Sequence, residues 1–150
     1  MSEHRCIAWI LAAAMLVTVG CGGSRQRHAA GNAGALDGVY RNTITFNEYI
    51  AAGVDRPWAA ANAGTGVHTM TLHHGRARDD VRGTAIPMCG ARYSLRGHTI
   101  SWAFDQAPGC SGYFTATWSL RNGELRFTDV KADGLGGNVQ FGLKPFRRIG

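Results

Sequence analysis

The sequence predicts an all-β fold: an antiparallel up-and-down β-barrel of seven to eight strands, with a short helical insert after the first strand. Three observations predict it. Apolar and polar residues alternate in short runs from residue 38 onward. Short glycine-bearing connections join many of the runs, so strands adjacent in sequence pair as hairpins. Each run offers one apolar face, as a sheet closed on itself requires.

The first run, residues 38–46, puts Tyr40, Ile44 and Phe46 on one face. Asn47 is placed to cap a helix through residues 48–52, which Gly53 stops. Residues 54–66 contain Pro57 and Trp58 and read as a long connection with room for a second helical turn. Trp58 would serve there as a lid, a rim residue or a plug at the barrel's end. Residues 67–74 form a second strand with Met70 and Leu72 on one face, and the stretch 75–88 has room for one more. Residues 91–95 and 99–104 alternate around Arg96-Gly97-His98 as a hairpin. In residues 112–120, Phe114, Ala116, Trp118 and Leu120 share a face. Asn122-Gly123 follows, a two-residue signal for a type I′ turn, which needs positive φ at both central positions. Leu125 and Phe127 continue the apolar face on the return strand. A glycine-rich connection over 131–137 leads to an expected last strand at 139–143 and a closing segment at 145–149. The inward set is then Tyr40, Ile44, Phe46, Met70, Leu72, Tyr93, Ile100, Trp102, Phe104, Phe114, Trp118, Leu125, Phe127 and Phe141. An immunoglobulin-type sandwich fits less well. Cys89, Trp102 and Cys110 come in its order, but the cysteines flank one hairpin rather than bridging two sheets.

Ahead of this domain the chain reads as an address. Residues 1–20 carry a basic start, an apolar middle and small residues before Cys21, the order of a secretory signal peptide. The apolar run is shorter than the roughly 20 residues of a membrane-spanning helix. A cysteine directly after the cut is the mark of a bacterial lipoprotein signal, whose thiol is acylated. Residues 1–20 are therefore expected to be removed, and Cys21 to be lipidated. Residues 21–35 read as a tether and 36–150 as the folded domain. The expected location is outside the cell membrane, anchored to it and facing outward or into the periplasm.

The net charge is +6, and residues 36–150 carry thirteen Arg and Lys against nine Asp and Glu, near +4. The arginines are spread along the chain rather than clustered, which with export argues against a nucleic-acid partner. Cys6 leaves with the signal and Cys21 is acylated. Cys89 and Cys110 remain, and an oxidising compartment favours their pairing as a disulfide.

Leu36-Asp37-Gly38-Val39-Tyr40 is similar to the Gly-x-Trp opening of lipocalins, with Tyr40 in the tryptophan's place. Lys144-Pro145-Phe146-Arg147-Arg148-Ile149 resembles the last-strand arginine that packs over that ring. The domain thus resembles the calycin superfamily, the lipocalin-like and streptavidin-like small barrels. The same ends, with Gly90 to Tyr93 between them, resemble exported bacterial lipoproteins of high-GC genomes. The resemblance implies a barrel closed at one end by Tyr40, Arg147 and Arg148. It also implies an interior for a small apolar or amphipathic ligand.

Candidate lining residues are Tyr40, Met70, Tyr93, Trp102, Phe104, Phe114, Trp118 and Phe127. Two readings stay open: these side chains fill the barrel, or part of the interior binds a ligand. In the first, the domain is a structural or interaction module for another envelope protein. An enzyme on a barrel scaffold is the third, weaker reading, because no nucleophile elbow, zinc helix motif or phosphate loop is present. Asp79-Asp80 lies among arginines and reads as surface ion pairing on a loop. His68 and His74 are six residues apart, about 20 Å along a strand. His73 and His74 should point to opposite faces. No metal site and no cofactor are expected.

Overall fold

The computed structural model describes residues 32–63, 66–82, 89–105 and 112–150. The expected signal peptide, Cys21 and Cys110 lie outside these residues. The described chain is a closed barrel of eight antiparallel strands in simple sequential order. The strands are β1 Gly38–Thr43, β2 Val67–His73, β3 Arg76–Val81 and β4 Cys89–Arg96, then β5 Thr99–Phe104, β6 Tyr113–Arg121, β7 Glu124–Ala132 and β8 Phe146–Arg148. Three helices, α1 Phe46–Ala51, α2 Arg56–Ala63 and α3 Gly134–Gly142, gather at one end. The chain enters at the opposite end through a 3-10 helix over Ala33–Leu36, which begins within the residues expected to be tether. No helix among the described residues is long and apolar enough to cross a membrane.

Turn chemistry sets the hairpins. Asn122 and Gly123 have φ of 50° and 76°, the doubly positive pair that a type I′ turn needs. His74 and Gly75, at 45° and 79°, make the same turn between β2 and β3. The stretch 75–88 therefore does hold a strand, β3. In β7 one extra residue breaks the ladder between Thr115 and Thr117 of β6, and Asp129 sits there at φ 51°. This bulge shifts the inward positions from Leu125 and Phe127 to Ala132.

Two expectations about the helices need correction. Thr45, not Asn47, caps α1: its hydroxyl accepts from the Glu48 N–H, and Glu48 accepts in return from the Thr45 N–H at 2.8 Å. Residues 139–143, expected as the last strand, belong to α3 and the turn after it. A short apolar run fits either period. In the fold Gly136, Val139 and Gln140 are buried, which is helical spacing. The three-residue β8 closes the barrel instead, between β1 and β7.

The barrel core holds Tyr40, Met70, Tyr93, Trp102, Phe114, Phe127, Phe141 and Phe146, all buried. Phe104 and Trp118 pack against it while half-buried. A second cluster of Ile44, Tyr49, Val54, Ala59, Ala63 and Val139 joins the helices to the barrel's end. Trp58 is half-buried and packs against this second cluster. Its ring meets Tyr49 edge-on at 5.4 Å, and it lies so close to Gly136 that a Cβ there would fall within the indole.

Candidate functional site

The inner faces of β1, β2 and β3 turn polar as they approach the helices. On β1, Tyr40 and Asn42 point inward. Asn42 stands directly opposite His68 of β2. Asp79 of β3 stands opposite Met70, one inward position further along. His68 is completely buried. Two helices complete the cluster from above. Tyr49 of α1 brings its hydroxyl 3.0 Å from His68 Nε2. Gln140 of α3 donates its amide N–H to Asp79 Oδ2 at 2.5 Å.

Several polar atoms of this cluster are out of solvent and have no hydrogen-bond partner among the described residues. They are both side-chain polar atoms of Asn42, Nδ1 of His68 and Oδ1 of Asp79. The indole N–H of Trp102 is a fifth. Trp102 also lies beside α3, with its ring 5.5 Å from Phe141. Leaving such an atom unpaired costs on the order of 1–3 kcal/mol, so a fold carries one only where something else is served.

Burial also sets the charge states. It pushes the Tyr49 phenol far above its ordinary range, with the Asp79 charge adding to the effect. It holds the His68 imidazole down at about 4. At neutral pH a protonated phenol therefore faces a neutral imidazole. The hydroxyl donates to Nε2 in one tautomer and accepts from it in the other, and Nδ1 stays unpaired in both. Asp79 as a residue keeps some exposure, but its carboxylate is closed off. Desolvation, and then the neighbouring Asp80 charge, raise it to about 7 against the pull of the Gln140 hydrogen bond. The cluster therefore presents donors and acceptors of both kinds, with one group that changes charge near neutrality.

The residues expected to line a ligand cavity meet a different fate. Trp102, Phe114, Phe127, Phe141 and Phe146 form a continuous aromatic cluster, with mostly edge-on and tilted ring contacts. Trp102 and Phe114 are 4.9 Å apart, Phe114 and Phe141 4.6 Å, and Phe114 and Phe127 5.3 Å. Tyr40 and Tyr93 are buried, and each anchors the entry segment: the Tyr40 hydroxyl donates to the Leu36 carbonyl at 2.9 Å, and that of Tyr93 to Ala33 at 2.6 Å. The apolar middle of the barrel is thus packed by its own side chains.

At the entry end Arg148 lies over the Tyr40 ring, 5.9 Å from its centroid. Its guanidinium donates to the Asp37 carbonyl, so it ties the last strand to the first. Arg147 takes another course and pairs with Glu124, Nε to Oε1 at 3.2 Å.

Two sequence expectations are overturned. Asp79 is not a surface-loop residue: it lies in β3, and its carboxylate joins the buried cluster. His73 and His74 do not diverge. The positive φ at His74 swings its ring back, so that both Nδ1 atoms approach Asp37 Oδ2, at 3.5 and 2.9 Å. Asn42 and Gln140 were missed altogether. Asn42 keeps step with Tyr40, which is the signal that could have found it. Gln140 shows only once residues 134–142 are read as a helix. Cys89 begins β4, while its expected partner Cys110 lies outside the described residues. No protein-family model, curated protein or solved structure matches the chain.

Proposed function

We propose that this chain is an exported, lipid-anchored barrel of the calycin type that binds a small amphipathic ligand at its helix-capped end. One observation carries the reading: polar side chains from three adjacent strands converge out of solvent, under two helices, with several of their atoms unpaired. A ligand bearing a hydroxyl, amide or carboxyl group would satisfy Asn42, His68 and Asp79. Its apolar part would lie toward Met70 and Trp102. The packed aromatic middle limits the ligand to a small one. Gln140 and Tyr49, carried on separate helices, would close over it. The lipid on Cys21 would hold this binding domain near the membrane.

Native mass spectrometry of the protein purified from its own host tests the reading. A small molecule bound to the wild type and absent from the His68→Leu and Asn42→Leu variants is the expected result. Release of no molecule from the folded wild type would overturn it.

The aromatic cluster favours a second reading, in which the barrel is a filled scaffold and its surface engages another envelope protein. Crosslinking in intact cells that repeatedly returns one partner, together with an apo native mass, would establish that reading.

A further inference from the structure

Asp37, His73 and His74 meet at the end of the barrel opposite the helices. We propose that these three side chains form a binding site for one divalent transition-metal ion of the zinc, copper or nickel class. Each residue offers one ligand atom, and the three atoms lie within 4.8 Å of one another. Oδ2 of Asp37 is 2.9 Å from Nδ1 of His74 and 3.5 Å from Nδ1 of His73. Zinc bonds these ligand types at about 2.0–2.2 Å, so tetrahedral ligands stand roughly 3.4 Å from each other. Asp37 Oδ2 already stands near that spacing from both imidazole nitrogens.

The backbone builds this arrangement. Successive residues of an extended strand point to opposite faces. His73 ends β2, but His74 is in the left-handed region at φ 45°, in the two-residue turn it shares with Gly75. The turn brings the two rings to the same side, with centroids 4.1 Å apart. Asp37 arrives from the other direction, between the 3-10 helix and β1.

Its carboxylate is held from behind. Oδ1 accepts from the His74 N–H at 2.8 Å, and the Tyr93 hydroxyl stands 3.4 Å away. Oδ2 is thereby turned toward the imidazoles. Metal sites use such outer partners to orient their ligands. Two imidazole nitrogens and one carboxylate oxygen favour zinc, copper or nickel over magnesium or calcium, which take oxygen ligands. The histidines are 70% and 74% exposed, so an ion can enter from solvent. Three protein ligands leave a further coordination position open to water or to a donor group of a second molecule.

Calorimetric titration of the full chain, purified in detergent without a histidine tag, tests the site with zinc and copper chlorides. One ion per chain is expected. The His73→Ala/His74→Ala variant should bind at least about tenfold more weakly, the loss that even outer partners of metal ligands produce. Electron spin resonance of the copper form should show two coordinated nitrogens in the wild type and lose them in that variant. The His98→Ala variant removes an exposed histidine elsewhere on the barrel and should bind as the wild type does. Unchanged thermal unfolding of each metal-free variant verifies its fold. Absence of saturable binding to the wild type, or equal affinity in the double variant, would overturn the proposal.

Discussion

Replacing Asp79 by Asn probes the buried cluster most directly, because the carboxyl and its amide differ chiefly in ionisation. The Asp79 carboxyl moves from an ordinary 3.8 to about 7 in the folded state. Between those values the folded protein holds a proton that the unfolded chain has released. Stability therefore falls as pH rises through this interval. At about 1.36 kcal/mol per pH unit, the full loss by pH 8 is about 4 kcal/mol. His68 acts in the opposite sense. Its imidazole is held at about 4 rather than 6.5. The unfolded chain binds the extra proton there, so stability rises by about 3 kcal/mol as pH climbs from 4 to 6.5. In the wild type the two effects nearly cancel up to pH 6.5, and the Asp79 loss then continues alone. Asp79→Asn removes the falling component. Its stability should rise between pH 4 and 6.5 and stay level above, so that its advantage over the wild type grows by about 4 kcal/mol from pH 4 to pH 8. Urea unfolding followed by tryptophan fluorescence, repeated at half-unit intervals of pH, measures this difference. Parallel pH profiles for the two proteins would refute the reasoning, for the carboxylate would then be solvated.

Three other perturbations have defined outcomes. Tyr49→Phe strips the hydroxyl from His68 and leaves a fully buried imidazole with no partner among the described residues, so thermal unfolding should report a loss of about 1–3 kcal/mol. Phe141→Ala opens the centre of the aromatic cluster and should cost about 3–5 kcal/mol in denaturant unfolding, since the ring touches Trp102, Phe114 and Phe146. Cys89 and Cys110 should resist alkylation until a reductant is added, and Cys89→Ser should lower stability by about 3 kcal/mol, the chain-entropy value for a loop of that size.

The alternation of residues 91–104 and 112–127 spelled out four strands and their two hairpins, because half-buried strands must repeat with period two. Asn122-Gly123 located a turn for the same local reason: few residue pairs accept positive φ twice. The apolar inward set was legible in the same way, and Tyr40, Met70, Trp102, Phe114 and Phe127 are buried. Where a residue's fate depends on distant neighbours, the sequence was silent. Asp79 looks like any charged residue among arginines, and only closure of the barrel with Gln140 overhead takes its carboxylate out of water. Residues 139–143 carry a period that suits strand or helix, and packing of Phe141 on Trp102 and Phe114 selects the helix.

The fold class was therefore set by local pattern, since each strand needs only its own alternation and a permissive turn to declare itself. The polar cluster at the helix-capped end and the meeting of Asp37 with His73 and His74 were decided by tertiary structure. Both join residues from separate segments whose proximity depends on strand register, on one left-handed backbone angle at His74 and on the seating of three helices. Those are properties of the closed barrel, and no single stretch of the chain contains them.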